Sequence, residues 1–203
     1  MEGKDTYKTI ASPSEEVLFK DRKSKFYGYA FPISSKAEVK SLVEKLRKQY
    51  HTANHVCYAW QIGVTSPIYR ANDDGEPNNS AGMPIYGQIQ SFGVTNVLVA
   101  VVRFFGGTKL GVGGLIQAYK AAAQMALEHS EIVEKVLQSK LQLDFGYPQM
   151  DKVMRGIKQR GLSLVSQNLE LNCSVIIAVR QSEADNTFVF FNEMVDVQVR
   201  RLD

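Results

Sequence analysis

The chain is predicted to be an α+β protein of two domains, residues 1–130 and 131–203, on three observations. In the second part, stretches of strand-like and helix-like apolar periodicity follow in the order β-α-β-β-α-β, the ferredoxin-like arrangement. In the first part, the uncharged run at 97–102, rich in β-branched residues, leads through a glycine-rich loop into an Ala-rich helix. The composition, 44% hydrophobic and 22% charged over 203 residues, suffices for a buried core in each domain.

In chain order, residues 6–33 read as strands with a turn at Ser12-Pro13-Ser14. Lys20, Arg22, Lys23 and Lys25 precede a strand that sets Tyr27, Tyr29 and Phe31 on one face and Phe26, Gly28 and Ala30 on the other. A basic cluster beside exposed rings suits single-stranded nucleic acid, whereas rings turned inward are core. Ser34 or Ser35 can cap a helix running to about Tyr50, with Val39, Leu42, Val43 and Leu46 along one face. A strand at 55–62 and a loop at 63–79 follow. Ser80 is placed to cap a helix at 81–90, with Pro84 inside its first turn.

The run at 97–102 has no polar alternation, which predicts a strand covered on both faces. The helix after the loop, about residues 114–129, carries Ala118, Ala121, Ala122, Ala123 and Ala126, so it can lie close to a sheet. Tyr119 and Lys120 are expected along its flank. The second domain starts with a strand at 133–145, then a helix from Tyr147-Pro148 to a glycine stop at Gly161. Strands at 163–170 and 171–180, a helix at 183–194 and a strand at 195–202 complete it. Its exposed helical faces hold Lys152, Arg155, Lys158 and Arg160.

Net charge is only +3, too little to mark a nucleic-acid binder by itself. It is unevenly divided: residues 1–130 hold 15 Lys/Arg against 11 Asp/Glu, and residues 131–203 hold 9 against 10. Attraction to phosphate is therefore expected on the first domain. Cys57 and Cys173 are too few and too far apart for a disulfide framework or a zinc site, and no metal or cofactor is expected. No apolar run is long enough for a membrane span, and the opening M-E-G-K-D-T-Y lacks the apolar core of a signal peptide. A cytoplasmic protein without a membrane partner is expected.

The chemistry gathers at Gly106, Gly107, Gly111, Gly113 and Gly114, flanked by Arg103 and Lys109. Glycines permit positive φ and close backbone approach. The free N–H groups and dipole at a helix start favour an anion. A tight strand-to-helix turn would use the same glycines. Gly106 and Gly111 have P-loop spacing, but Val112 and Gly113 stand where Lys and Ser/Thr belong. Gly111-Val112-Gly113 opens a dinucleotide fingerprint that Ile116 fails to close. Upstream, Asp73, Asp74, Gly75 and Glu76 form an acidic turn whose calcium-loop register fails, with Arg70 first and Ala81 last. Glu76, stiffened by Pro77, is placed to orient a base such as Arg103. His51 and His55 lack the intervening Glu of a zincin helix.

Two long stretches, V-V-R-F-F-G-G-T-K-L-G-V-G-G-L-I-Q-A-Y at 101–119 and D-D-G-E-P-N-N-S-A-G-M-P-I at 73–85, resemble the YigZ/IMPACT family, as does H-V-C-Y-A at 55–59. The likeness spans roughly residues 15–130. It implies a fold for residues 1–130 like the second domain of ribosomal protein S5, and a role in translation with RNA, the ribosome or a protein of translation as partner. Gln117, Met83 and Asn78-Asn79 depart from the family's usual Arg, Lys and Ser-Gly. Two functions follow as expectations. One is an anion-binding module using Arg103, Gly106, Gly107, Lys109, Gly111, Gly113 and Gly114, supported by His55, Asp74, Gly75 and Glu76. The other is a hydrolase of a phosphoester or peptide with His55, Glu76 and Arg103 as its catalytic group. Against the second, no nucleophile elbow or paired-carboxylate motif can be read.

Overall fold

The computed structural model describes residues 5–202, which divide into two compact units. One is Tyr7–Lys135; the other takes residues 136–202 with residues 5 and 6. The strands and helices are, in order, β1 (Thr6–Ile10), β2 (Val17–Asp21), β3 (Ser24–Pro32), α1 (Lys36–Gln49), β4 (His55–Ile62), β5 (Ile68–Asn72), α2 (Gly82–Phe92), β6 (Val97–Phe104) and α3 (Gly111–Glu128). Then come β7 (Ile132–Val136), β8 (Gln138–Gly146), α4 (Met150–Gln159), β9 (Ser163–Leu169), β10 (Asn172–Arg180), α5 (Ala184–Asn192) and β11 (Val197–Arg201). The architecture is mixed α and β.

In the first unit, five antiparallel strands run in the order β2-β3-β6-β4-β5. β6 sits at the centre, and every residue from Val97 to Arg103 is buried. Its faces divide cleanly. Val97, Val99 and Val101 pack against α2 and α3, while Leu98, Ala100 and Val102 pack against α1. A strand covered on both sides needs no polar alternation, which is why its sequence has none. α3 lies close upon β3 through its alanines. A Cβ at Gly28 would stand 2.6 Å from the carbonyl oxygen of Ala122.

Several local expectations change. The stretch 63–79, expected to be a loop, contains β5, paired antiparallel with β4. Of the two readings of Tyr27, Tyr29 and Phe31, the core one holds over the exposed stacking platform. These rings face α1, where Tyr27 stacks on Tyr50 with ring centroids 5.4 Å apart and Tyr29 is buried. Burying a large apolar side chain gains about 1.5–3 kcal/mol, so once α1 covers this face the rings turn inward. Tyr119 leaves the flank of α3 for the core and is fully buried. α3 starts at Gly111, three residues before the expected 114. Ser35 does not cap α1 with its side chain; the Glu38 carboxylate instead accepts from the hydroxyls of Ser34 at 2.6 Å and Ser35 at 3.0 Å. At α2, Ser80 donates to the carbonyl of Pro77, and Asp73 Oδ1 takes the amides of Ala81 and Gly82 at 3.0 and 2.8 Å.

In the second unit, β8-α4-β9-β10-α5-β11 build a four-stranded antiparallel sheet in the order β11-β8-β10-β9. Leu141, Leu143, Phe145, Val175 and Ile177 meet Val153 and Ile157 of α4 and Phe191 of α5. Gly161, at φ 62°, ends α4 in the left-handed conformation its sequence position predicts. The single strand expected at 133–145 is two, broken at Leu137. β7 pairs with β1 in a separate two-stranded sheet, and β8 joins the four-stranded one.

Candidate functional site

The sheet's edge-to-edge register assembles the site. In β6, Arg103 lies opposite His55 of β4 and opposite Phe26 of β3, so all three side chains share the face covered by α2 and α3. Arg103 is 5% exposed, and a charge that deep needs a partner. Glu76 provides it: Arg103 Nη1 donates to Glu76 Oε1 at 2.6 Å. Tyr119 donates to the same oxygen at 2.7 Å, from a position about two helical turns inside α3. The guanidinium is also flanked by the rings of Phe26 and Phe105, with centroids 5.4 and 5.5 Å away. Nε of Arg103 is buried without a hydrogen-bond partner among the described residues.

The acidic turn holds Glu76 in place. Asp74 Oδ2 accepts the amide of Val56 at 2.7 Å, Asp74 Oδ1 accepts from Arg47 at 2.6 Å, and the Asp74 carbonyl accepts from Nδ1 of His55 at 2.8 Å. That last bond fixes the tautomer, leaving Nε2 of His55 facing Glu76 Oε1 at 3.8 Å. Asp74 and Gly75 take positive φ, 44° and 88°, to make the bend. Beneath Tyr119, the Cys57 thiol lies 3.3 Å from the phenol oxygen. Burial pushes the pKa of both groups well above its ordinary value, so each keeps its proton.

Above this floor opens a cavity of about 400 Å³. Of the sequence-predicted residues it gathers His55, Glu76, Arg103, Lys109 and Gly111. Asn54, Pro77, Phe105, Leu110, Val112 and Leu115 complete the lining. The first turn of α3 forms one wall. No side chain caps it and no acid lies within it. The amides of Gly111, Val112 and Gly113 precede the first intrahelical bond and find no other acceptor among the described residues.

The remaining predicted residues lie elsewhere. Gly106 is no anion donor, because its amide goes to Ser24 Oγ at 3.1 Å; it is glycine because a Cβ would stand 2.1 Å from the Lys23 carbonyl carbon. Gly107, at φ 86°, shapes the loop, and Gly113, in the first turn of α3, does not line the cavity. Gly114 belongs to the body of the first turn, against the Leu110 side chain. Asp74 and Gly75 support the turn from outside the cavity. Sequence reading did not place Tyr119, Phe105 or Asn54 at the site. Asn54 accepts the Phe105 amide at 2.8 Å and thereby orients the loop. The one available signal was a tyrosine amid the alanines of α3.

Fold and cavity together define a class: a mixed α and β protein whose central strand delivers a buried Arg to a Glu of the acidic turn, beside a glycine loop. The sequence profile of the Impact N-terminal domain matches residues 22–127, which include all of this cavity. The IMPACT family member YvyE of Bacillus subtilis is 31% identical over 174 residues, 84% of this chain and 80% of its own. An IMPACT family member of Haemophilus influenzae is 27% identical over 194 residues, 94% of this chain and 93% of its own. The crystal structure of a hypothetical protein, 24% identical, superposes with a TM-score of 0.74 over 98% of each chain. This chain belongs to the IMPACT family.

Proposed function

We propose that this protein is a translation-associated regulatory protein that contacts RNA, free or in the ribosome, through the cavity at the start of α3. The link to translation is what family membership implies. The RNA contact rests on one observation: Lys109 and the uncapped start of α3, with Gly111 and Val112, wall a cavity that the buried Arg103 also lines. Such a set favours phosphate oxygens. We read the first unit as S5 domain 2-like and the second as ferredoxin-like; the βαββαβ order with its antiparallel sheet supports the latter. A cytoplasmic place is part of the same reading. No helix among the described residues is long and apolar enough to cross a membrane.

The test is sedimentation with ribosomal particles. Wild-type protein is expected to pellet with them at low salt and to leave at high salt. Lys109→Ala should weaken retention and lower the salt slope by about 1, as for one lost phosphate contact. Absence of wild-type protein from the pellet, or equal retention of the variant at every salt, rejects the reading.

A hydrolytic reading draws on a different contact, the approach of His55 Nε2 to Glu76 in the same cavity as Arg103. Glu76 or His55 would take a proton from water while Arg103 held the developing charge. The lining contains no Ser, Thr or Cys, and the buried Cys57 thiol keeps its proton, so water is the nucleophile available. A screen of phosphoesters and peptides with purified protein checks this. Turnover abolished by Glu76→Gln supports it, and a wild-type protein that turns over nothing removes it.

A further inference from the structure

The cavity that carries the proposed RNA contact has a charge balance of its own. At its floor the charges of Arg103 and Glu76 cancel through their 2.6 Å contact. Left over are the ammonium of Lys109 and the N-terminus of α3, worth about half a charge, so the uncompensated charge is about +1.5. A phosphodiester inside a strand carries one negative charge and offers two non-bridging oxygens. A phosphate monoester carries about −1.5 to −2 at neutral pH and offers three. The amides of Gly111, Val112 and Gly113 await acceptors, the first two of these residues lying in the cavity wall.

Two further features act in the same direction. Arg103 lines the cavity while 95% buried, and its Nε has no hydrogen-bond partner among the described residues. A volume of about 400 Å³ is that of a pocket for a single small ligand, unlike a groove that tracks a strand. Beside it the ring of Phe105 is 45% exposed, although the guanidinium of Arg103 holds one side of it in place. An exposed, fixed ring is a stacking surface for a base.

We propose that this cavity binds the terminal phosphate monoester of single-stranded RNA, with the terminal base against Phe105. The proposal rests on the RNA-binding reading above and adds that the chain end, not its interior, is what is held.

Full-length protein is titrated into one short single-stranded RNA, labelled internally and prepared with a 5′-phosphate, a 3′-phosphate, or hydroxyls at both ends. One phosphorylated form is expected to bind about tenfold tighter than the hydroxyl form, and inorganic phosphate should compete for the difference. The informative variant is Val112→Asp. It places a carboxylate in the first turn of α3, where the helix dipole favours one, so the thermal midpoint should hold or rise. The same carboxylate fills the anion site, so the preference for a phosphorylated end should disappear. Equal binding of all three RNAs overturns the end-binding assignment while leaving RNA contact standing. A preference that survives in Val112→Asp also overturns it, by moving the phosphate to another surface. No binding of any RNA removes both readings.

Discussion

Arg103 and Glu76 meet at 2.6 Å across 27 residues of chain, both side chains almost fully buried. A pair this deep contributes little net stability against an apolar alternative, but removing one partner strands the other. Its role is to fix the cavity floor, with Tyr119 locking the carboxylate from the helix side.

Replacing Glu76 by Gln should therefore destabilise the protein by about 3 kcal/mol, because the guanidinium stays buried without its counter-charge. The double variant Arg103→Met with Glu76→Gln should recover a large part of that loss. Urea midpoints of the wild type and the two variants check this. A Glu76→Gln protein as stable as wild type would show that the pair is not the structural element described.

Two glycine-to-alanine substitutions should act in opposite senses. At Gly28 a methyl group would meet the Ala122 carbonyl at 2.6 Å, forcing β3 and α3 apart at a cost of about 1–3 kcal/mol. At Gly87, inside α2, nothing lies within 4 Å of the new methyl, and the better helix former should add about 0.5–1 kcal/mol. Thermal melts of both variants would check the sign of each change.

Asp73, not Ser80, secures the start of α2, so Asp73→Ala should cost more. It removes three bonds to a carboxylate, from the amides of Asn79, Ala81 and Gly82, and should cost about 3 kcal/mol. Ser80→Ala removes one bond, to the Pro77 carbonyl, and should cost about 1 kcal/mol. Chemical denaturation of the two proteins would measure the difference; the reverse order would return the cap to Ser80.

Stability should fall at alkaline pH. Burial, with hydrogen bonds to Glu16, raises the pKa of Tyr29 above its ordinary value and pushes that of Tyr50 up to about 12; burial likewise raises those of Tyr119 and Cys57. A raised folded-state value means the unfolded chain releases these protons first. Their contribution is complete below the unfolded values of 9.0 for Cys and 10.0 for Tyr, and is lost as pH climbs above them. Urea midpoints should thus hold steady between pH 7 and 9 with respect to these groups and drop above pH 10, and phenolate absorbance should lag in the folded protein. Phenolate appearing at the ordinary tyrosine value before unfolding would contradict this.

Part of the site was legible in the residues. Glu76 stiffened by Pro77 pointed to Arg103, and the glycines with Lys109 pointed to the helix start. Tyr119 was not legible, because a tyrosine in a helix reads equally as flank or core until the helix is docked. Gly106 looked like a loop amide for an anion. Only the approach of the Lys23 backbone shows why it is glycine and where its N–H goes.

By itself the sequence determined most of the strands and helices, though not β5 or the break at Leu137, that β6 is covered on both faces, and that the second half runs βαββαβ. Those properties follow from local periodicity and backbone conformation, which neighbouring residues set. The tertiary structure alone decided that Asn54, Phe105, Leu110 and Leu115 wall one cavity, that Asp73 caps α2, and that Tyr27 and Tyr29 face α1. These depend on which element covers which face and at what register, and pairwise contacts between distant segments leave no periodic trace in the chain.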